Sequence, residues 1–161
     1  FSKTVAPGLR TGWALGDAEV IRQMARAKQA ADLQSSSLDQ QTLHQLLEHF
    51  DLDGHIEFVR KEYEARMRQM ADLIRQHDWP GAVWEEPKGG MFFWVELPET
   101  IDTAELLKSA VEQGVAFVPG ITFYADNPQT NAMRLNFTHN DAAGTVAGME
   151  RLSKALAAVL V

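Results

Sequence analysis

The first half of the chain has apolar residues at three- and four-residue spacing, which is typical of amphipathic helices. Two such segments flank a serine-rich interruption at 34–37, and Asp17 is a suitable N-cap for the first. A third segment runs from about 54 to 76 after a polar break, and Trp79-Pro80-Gly81 ends it. The pattern therefore predicts three helices between residue 17 and the Trp-Pro-Gly sequence.

After residue 80 the pattern changes to short apolar runs that alternate with helical segments. Strands are predicted at Val83–Glu85, at Met91–Leu97 with both faces buried, at Val115–Val118 and at Met133–Phe137. One helix between them begins with an N-cap at Asp102 and ends at Gly114, and a last helix begins at Asn140 or Asp141. The alternation predicts an α/β fold, namely a small α/β sandwich whose helices cover one or both faces of a short sheet.

Composition restricts the classes of protein that the chain can be. Hydrophobic residues make up 45% of the 161 residues, and the formal net charge is −7, which argues against nucleic acid as a partner of this segment. No apolar run reaches the length of about 18 residues that a membrane span needs. The absence of cysteine excludes disulfides and thiolate catalysis and agrees with a cytoplasmic enzyme. His44 and His49 are five residues apart without an obvious third ligand, so no metal site is predicted.

The chemistry-bearing residues nearest the beginning of the chain are Lys3 and Arg10. A Pro7-Gly8 turn separates them, and a strand-like segment follows at 11–15. The turn folds the chain back, so an amine and a guanidinium can point into one pocket. A guanidinium is a permanently charged fork that suits phosphate, and a desolvated lysine amine can become a Schiff-base nucleophile.

Arg134 is the second residue that the pattern singles out. It lies between Met133 and Leu135 in a predicted central strand, on the side opposite these apolar neighbours. Arginine is rarely buried without an anionic partner. From the residues alone, an internal salt bridge and a bound anion are about equally good explanations.

The segment Ser2-Lys3-x-x-x-Pro7-Gly8-Leu9-Arg10 resembles the cofactor-lysine signature of pyridoxal 5'-phosphate (PLP) aminotransferases of fold type I. It is most similar to the class I/II branch that holds 2-aminoadipate and kynurenine aminotransferases and the aminotransferase-like domains of MocR regulators. The resemblance implies that Lys3 is the catalytic and cofactor-binding lysine and that Arg10 binds the cofactor phosphate. It implies further that Arg134, in a matching Arg-Leu-x-Phe strand, binds the substrate α-carboxylate.

Other segments also resemble this family. Lys88-Gly89-Gly90-Met91-Phe92 is similar to a segment that opens a strand facing the substrate, which makes Phe92 a candidate substrate contact or a plain core aromatic. Gln29 to Leu33 is similar to an element that, in the family's dimers, reaches the neighbouring subunit's site. The resemblance therefore implies a homodimer in which Leu33 is a substrate contact.

The resemblance implies three regions: the C-terminal edge of a large PLP-binding domain at 1–50, a linking helix at 51–78 and the small C-terminal domain at 79–161. We expect the chain to be the C-terminal fragment of a longer enzyme that transaminates an amino acid with a 2-oxo acid and is inactive in isolation. Two alternatives stay open: a PLP-sensing domain of a MocR-type regulator, and a non-catalytic dimerisation remnant. The donor and acceptor substrates are not predicted.

Overall fold

The computed structural model describes residues 1–159, and they form an α/β structure with a small sheet. Its helices are α1 (Ala18–Ala31), α2 (Ser37–His49), α3 (Leu52–His77), α4 (Thr103–Glu112) and α5 (Ala142–Ala157). Its strands are β1 (Val83–Trp84), β2 (Phe92–Glu96), β3 (Val118–Pro119) and β4 (Ala132–Asn136). Short 3₁₀ turns lie at Pro7–Leu9 and Gly120–Phe123. The chain divides into two compact units, and the division falls within α3 between Val59 and Arg60.

Carboxylate N-caps begin three of the helices where the sequence predicts them. The Asp17 side chain accepts a hydrogen bond from the Glu19 N–H, Asp102 accepts from Ala104, and Asp141 accepts from Gly144. Each cap satisfies a backbone donor that the first helical turn leaves without a partner. Of the two candidate caps for the last helix, the structure therefore uses Asp141.

The first unit contains α1, α2 and the beginning of α3, and it buries little apolar surface. Leu43 is its buried hydrophobic residue in the described part of the chain, whereas Trp13 and Leu15 are 76% and 89% exposed. The strand predicted at 11–15 is wrong, because residues 10–17 lie in neither helix nor strand. A strand requires a partner for its backbone hydrogen bonds, and no described strand pairs with this segment.

The second unit contains the sheet, with strand order β1-β2-β4-β3 and every pair antiparallel. Side chains on one face of β2 and β4 pack with α3, α4 and α5 into a single core. Its fully buried members include Phe93, Val95, Met133, Ile74, Ala110, Leu152 and Leu156. This arrangement confirms the α/β fold with helices packed on a short sheet.

Two predicted strands differ from the structure. Only alternate residues of β2 are in the core, so the prediction that both faces of this strand are buried is wrong. The strand predicted at Val115–Val118 is confined to Val118–Pro119. Val115, the first residue of the predicted strand, instead belongs to the end of α4. Gly114 adopts a φ of 78°, and the Val115 N–H donates to the Ala110 carbonyl at 3.0 Å. This is a Schellman-type helix end, which glycine favours.

Candidate functional site

Lys3 and Arg10 line the same open pocket at the beginning of the chain. Its volume is about 370 Å³, and the other lining residues are Phe1, Ser2, Thr4, Thr11 and Gly12. Lys3 lies in a turn in which the Phe1 carbonyl accepts the Val5 N–H at 2.8 Å. The pocket lining thus combines an amine, a guanidinium and hydroxyl groups, and it includes no carboxylate.

Local backbone geometry places Arg10 at the end of a tight turn. After the 3₁₀ turn Pro7–Leu9, Arg10 adopts the left-handed region with a φ of 47°, and its N–H donates to the Pro7 carbonyl at 3.4 Å. This conformation reverses the chain, as the Pro-Gly sequence predicts. The Phe1 backbone nitrogen donates to the Thr11 carbonyl at 3.2 Å, which joins the two arms of the turn.

Neither cation of this pocket is neutralised within the described chain. Lys3 and Arg10 are both exposed, and no described carboxylate forms an ion pair with either of them. Two positive charges without a counterion in a concave site favour an anionic ligand. The pocket lining therefore suits an anionic ligand.

Arg134 is the centre of a second group, which lies in the second unit on the sheet face opposite the core. The alternation of side chains along β4 places Met133 and Leu135 in the core and Arg134 on the other face. In the antiparallel register Arg134 lies directly opposite Trp94 of β2. Phe92, two residues before Trp94, is on the same face.

Aromatic rings, rather than carboxylates, surround the Arg134 guanidinium. Its Cζ is 4.0 Å from the centre of the Phe92 ring and 4.3 Å from the centre of the Phe123 ring. The Nε atom is buried and has no hydrogen-bond partner, and Arg134 forms no ion pair with any described carboxylate. The internal salt bridge that the sequence left open is therefore not formed within residues 1–159.

The other two predicted site residues lie in different settings. Phe92 is half-buried and stacks on Arg134, so it is not a plain core aromatic. Leu33 follows α1 with a φ of 64° and a side chain that is 73% exposed, and it does not line the Lys3–Arg10 pocket. A positive φ is uncommon for a residue other than glycine, and the Leu33 side chain is exposed on its unit.

Sequence reasoning missed three aromatic residues of the Arg134 group: Trp94, Phe123 and Tyr124. Trp94 forms an edge-to-face contact with Phe123 at 5.9 Å between ring centres and a tilted contact with Tyr124 at 6.0 Å. The two-residue period along β2 already placed Trp94 on the face of Phe92. Nothing local predicts Phe123, because the turn that carries it follows the short strand β3.

Comparison with known proteins identifies one family over most of this chain. Residues 1–153 match the family described as "Aminotransferase class I and II". The chain is 38% identical over 156 residues to aromatic-amino-acid aminotransferase 1 of Thermococcus litoralis, covering 97% of this chain and 37% of that protein. It is 30% identical over 156 residues to the "uncharacterized HTH-type transcriptional regulator YdfD" of Bacillus subtilis, covering 97% of this chain and 30% of that protein.

Among solved structures, the chain is similar to the α-aminoadipate aminotransferase LysN from Thermus thermophilus, complexed with N-(5'-phosphopyridoxyl)-L-leucine. The TM-score is 0.93 at 36% identity, over 99% of this chain and 41% of that one. The chain belongs to the class I and II aminotransferase family. It spans about two fifths of the length of the aminotransferases that it matches. In the described part, no helix is both long and apolar enough to cross a membrane.

Proposed function

We propose that the protein containing this chain catalyses PLP-dependent transamination between an amino acid and a 2-oxo acid. Membership of the class I and II family and the similarity to two aminotransferases support this activity. The relatives' names do not transfer to this chain, and the substrate pair stays undefined. The proposal rests on two groups of residues, Lys3 with Arg10 and Arg134 with its aromatic neighbours.

The residues of the first pocket fit PLP. The Lys3 amine would hold the cofactor covalently at its aldehyde carbon, and the Arg10 guanidinium would bind its phosphate. Hydroxyl groups of Ser2, Thr4 and Thr11 add donors in the same pocket, and no acidic residue in the lining opposes an anion. When bound, PLP acts as an electron sink that makes the substrate Cα–H bond acidic.

Lys3 and Arg134 would have different roles in the reaction, proton transfer and substrate binding. With the cofactor bound, the Lys3 Nζ would take the proton from the substrate Cα as a general base and, as a general acid, would deliver it to the cofactor's former aldehyde carbon. Arg134 binds the α-carboxylate through its guanidinium fork and so orients the Cα–H bond. The Arg134 guanidinium would need no rearrangement of an internal ion pair before it accepts a carboxylate.

The single observation that carries the proposal is that the buried Nε of Arg134 has no hydrogen-bond partner among the described residues. A buried donor without an acceptor costs folding free energy. A bound anion would supply an acceptor to this half-buried guanidinium and so remove the cost. The phenyl rings of Phe92 and Phe123 contribute cation–π attraction but accept no conventional hydrogen bond. A substrate carboxylate supplies the missing acceptors, which agrees with a site for amino and 2-oxo acids.

Lys3→Ala in the full-length protein tests the proposal. We expect loss of the absorbance band of covalently bound cofactor and a fall in turnover by several orders of magnitude, because the link and the proton carrier are both removed. The matched control is Lys108→Ala, which removes an exposed lysine paired with Glu105 and should change neither measurement. Transamination by Lys3→Ala at the wild-type rate would exclude this function.

Further properties of the whole protein belong to the same proposal. We infer a cytoplasmic homodimer in which Leu33, exposed on its left-handed backbone, contacts substrate in the neighbouring subunit. We also infer that residues 1–50 form the edge of a large domain, 51–78 the linking helix and 79–161 the small domain. The absence of cysteine and the exposed apolar residues of the first unit support these inferences.

A second candidate is a PLP-sensing domain of a MocR-type regulator, and the similarity to YdfD favours it. The two functions differ in what the rest of the gene encodes. A basic DNA-binding domain before Phe1, together with cofactor binding but no turnover across a panel of amino donors, would select the regulator. If the protein shows neither cofactor absorbance nor turnover, the result would instead indicate a non-catalytic dimerisation remnant.

A further inference from the structure

Trp94 contacts two aromatic residues at the end of the Gly120–Phe123 turn. Phe123 and Tyr124 pack against the Trp94 ring, and Phe123 in turn lies 4.3 Å from the Arg134 Cζ. The Trp94 Nε1–H donates to the Glu96 carboxylate at 3.3 Å, which restrains the plane of the indole ring. The contacts thus form a chain from Trp94 through Phe123 to Arg134.

The approach of the turn to Trp94 is unusually close at Gly120. A Cβ atom at this position would lie 2.8 Å from the Trp94 Cη2 and 2.6 Å from the Ala132 Cβ. Such distances are shorter than van der Waals contact, so only glycine allows the turn to seat against the indole ring. The close packing fixes where the turn begins and, three residues later, where Phe123 lies.

We propose that Trp94 is a positioning residue for Arg134, acting through the Gly120–Phe123 turn. The proposal rests on the function proposed above and assigns to Trp94 a role that acts through Phe123 on Arg134. The indole ring is the platform on which the turn folds, and the turn holds Phe123 against the guanidinium. With the indole ring removed, Phe123 moves, and the guanidinium loses one of the two aromatic contacts that restrict its side-chain rotamers.

The test uses the full-length protein loaded with PLP and two probes, 3-phenylpropionate and its uncharged amide, 3-phenylpropanamide. The ratio of their dissociation constants measures recognition of the carboxylate alone. For Trp94→Leu we expect this ratio to fall about three- to tenfold, which is the range expected for losing one aromatic contact. The KM for amino donors should rise by a similar factor while kcat and cofactor absorbance change little.

Three further variants separate positioning from general stability. Trp94→Phe keeps an aromatic platform and should restore most of the ratio, whereas Gly120→Ala should lower it by displacing the turn. Trp84→Leu is the matched control, because Trp84 packs on Phe93 in the core instead. It should lower the melting temperature without changing the ratio.

The outcomes also distinguish this inference from the proposed function. If Arg134→Lys abolishes the preference for the acid while Trp94→Leu leaves it unchanged, the positioning role is wrong and the carboxylate site stands. The positioning role is equally wrong if Trp84→Leu lowers the ratio as much as Trp94→Leu does. If the wild-type protein does not prefer the acid, or Arg134→Lys keeps the preference, the proposed function fails first.

Discussion

The aromatic environment of Arg134 determines whether its guanidinium is available to bind a ligand. The guanidinium lies against Phe92 and Phe123 on the open face of the sheet, and its buried Nε has no partner among residues 1–159. Aromatic contacts stabilise the charge without occupying its hydrogen-bond donors. The same residue in an internal ion pair would have its donors occupied and its role would be structural.

Arg134→Lys keeps the charge but removes the planar fork. We expect kcat/KM for the amino donor to fall by the equivalent of about 2–4 kcal/mol, because a point charge cannot replace bidentate binding of a carboxylate. Cofactor absorbance should stay almost unchanged, since Arg10 and not Arg134 lines the Lys3 pocket. Steady-state kinetics and an absorbance spectrum of the full-length protein measure both quantities.

Arg10→Lys is the complementary change and should have the reverse order of effects. Weaker cofactor retention, measured as a higher dissociation constant for PLP, should come first, with lower activity as its consequence. The KM for the amino donor should change little once the enzyme is saturated with PLP. The roles of the two arginines would have to be exchanged if Arg134→Lys released the cofactor and Arg10→Lys raised only the amino-acid KM.

At the scale of elements, Thr103 joins α4 to the beginning of β4. Its side chain is fully buried, and its hydroxyl lies 2.8 Å from the carbonyls of both Thr130 and Ala132. The Thr103 N–H also donates to the Thr130 carbonyl at 2.9 Å. Because β4 carries Arg134, this anchor holds the strand of the site against the helix layer.

Thr103→Val keeps nearly the same side-chain shape but removes the hydroxyl group. We expect the free energy of unfolding to fall by about 1–3 kcal/mol, because the Ala132 carbonyl loses its partner in a buried setting. Ser109→Ala is the matched control: its half-buried hydroxyl bonds only to the Leu106 carbonyl of its own helix, so its effect should be within about 0.5 kcal/mol. Denaturant unfolding followed by circular dichroism measures both; equal losses would exclude the anchoring role.

Prediction of the elements succeeded where the signals are local. The caps Asp17, Asp102 and Asp141 act on donors within their own helices, and the end of α4 needs only Gly114. The strand predicted at 11–15 failed because strand formation depends on a partner elsewhere in the chain. The prediction for β2 failed because apolar content alone does not distinguish a core residue from an aromatic of the site, such as Phe92.

At the scale of the whole chain, the two units differ in how much apolar surface they bury. Buried hydrophobic residues of the described chain begin at Met70, apart from Leu43, whereas Leu33 and Leu38 of the first unit are more than 70% exposed. Burial of apolar surface is the main favourable contribution to folding. The second unit is therefore expected to be the more stable of the two.

Hydrogen exchange of the 161-residue chain tests this difference. Amides of β2, β4 and α5 should exchange slowest, and those of α1 and α2 should exchange faster, because their exposed helices open locally. The exposed apolar residues of the first unit should also make the chain self-associate, which sedimentation measures. A monomeric chain in which both units are equally protected would contradict both expectations.

The sequence by itself determined the helices, the N-caps of three of them, the Pro7-Gly8 turn and the two cations on either side of it, because these depend on residues close together in the chain. It also selected Arg134 as a charge in an apolar strand. Only the tertiary structure decided what surrounds that charge: the pairing of β2 with β4 places Trp94 opposite Arg134, and the turn after β3 brings Phe123 against it. These contacts join segments distant in sequence, and local pattern carries no information about which of them meet.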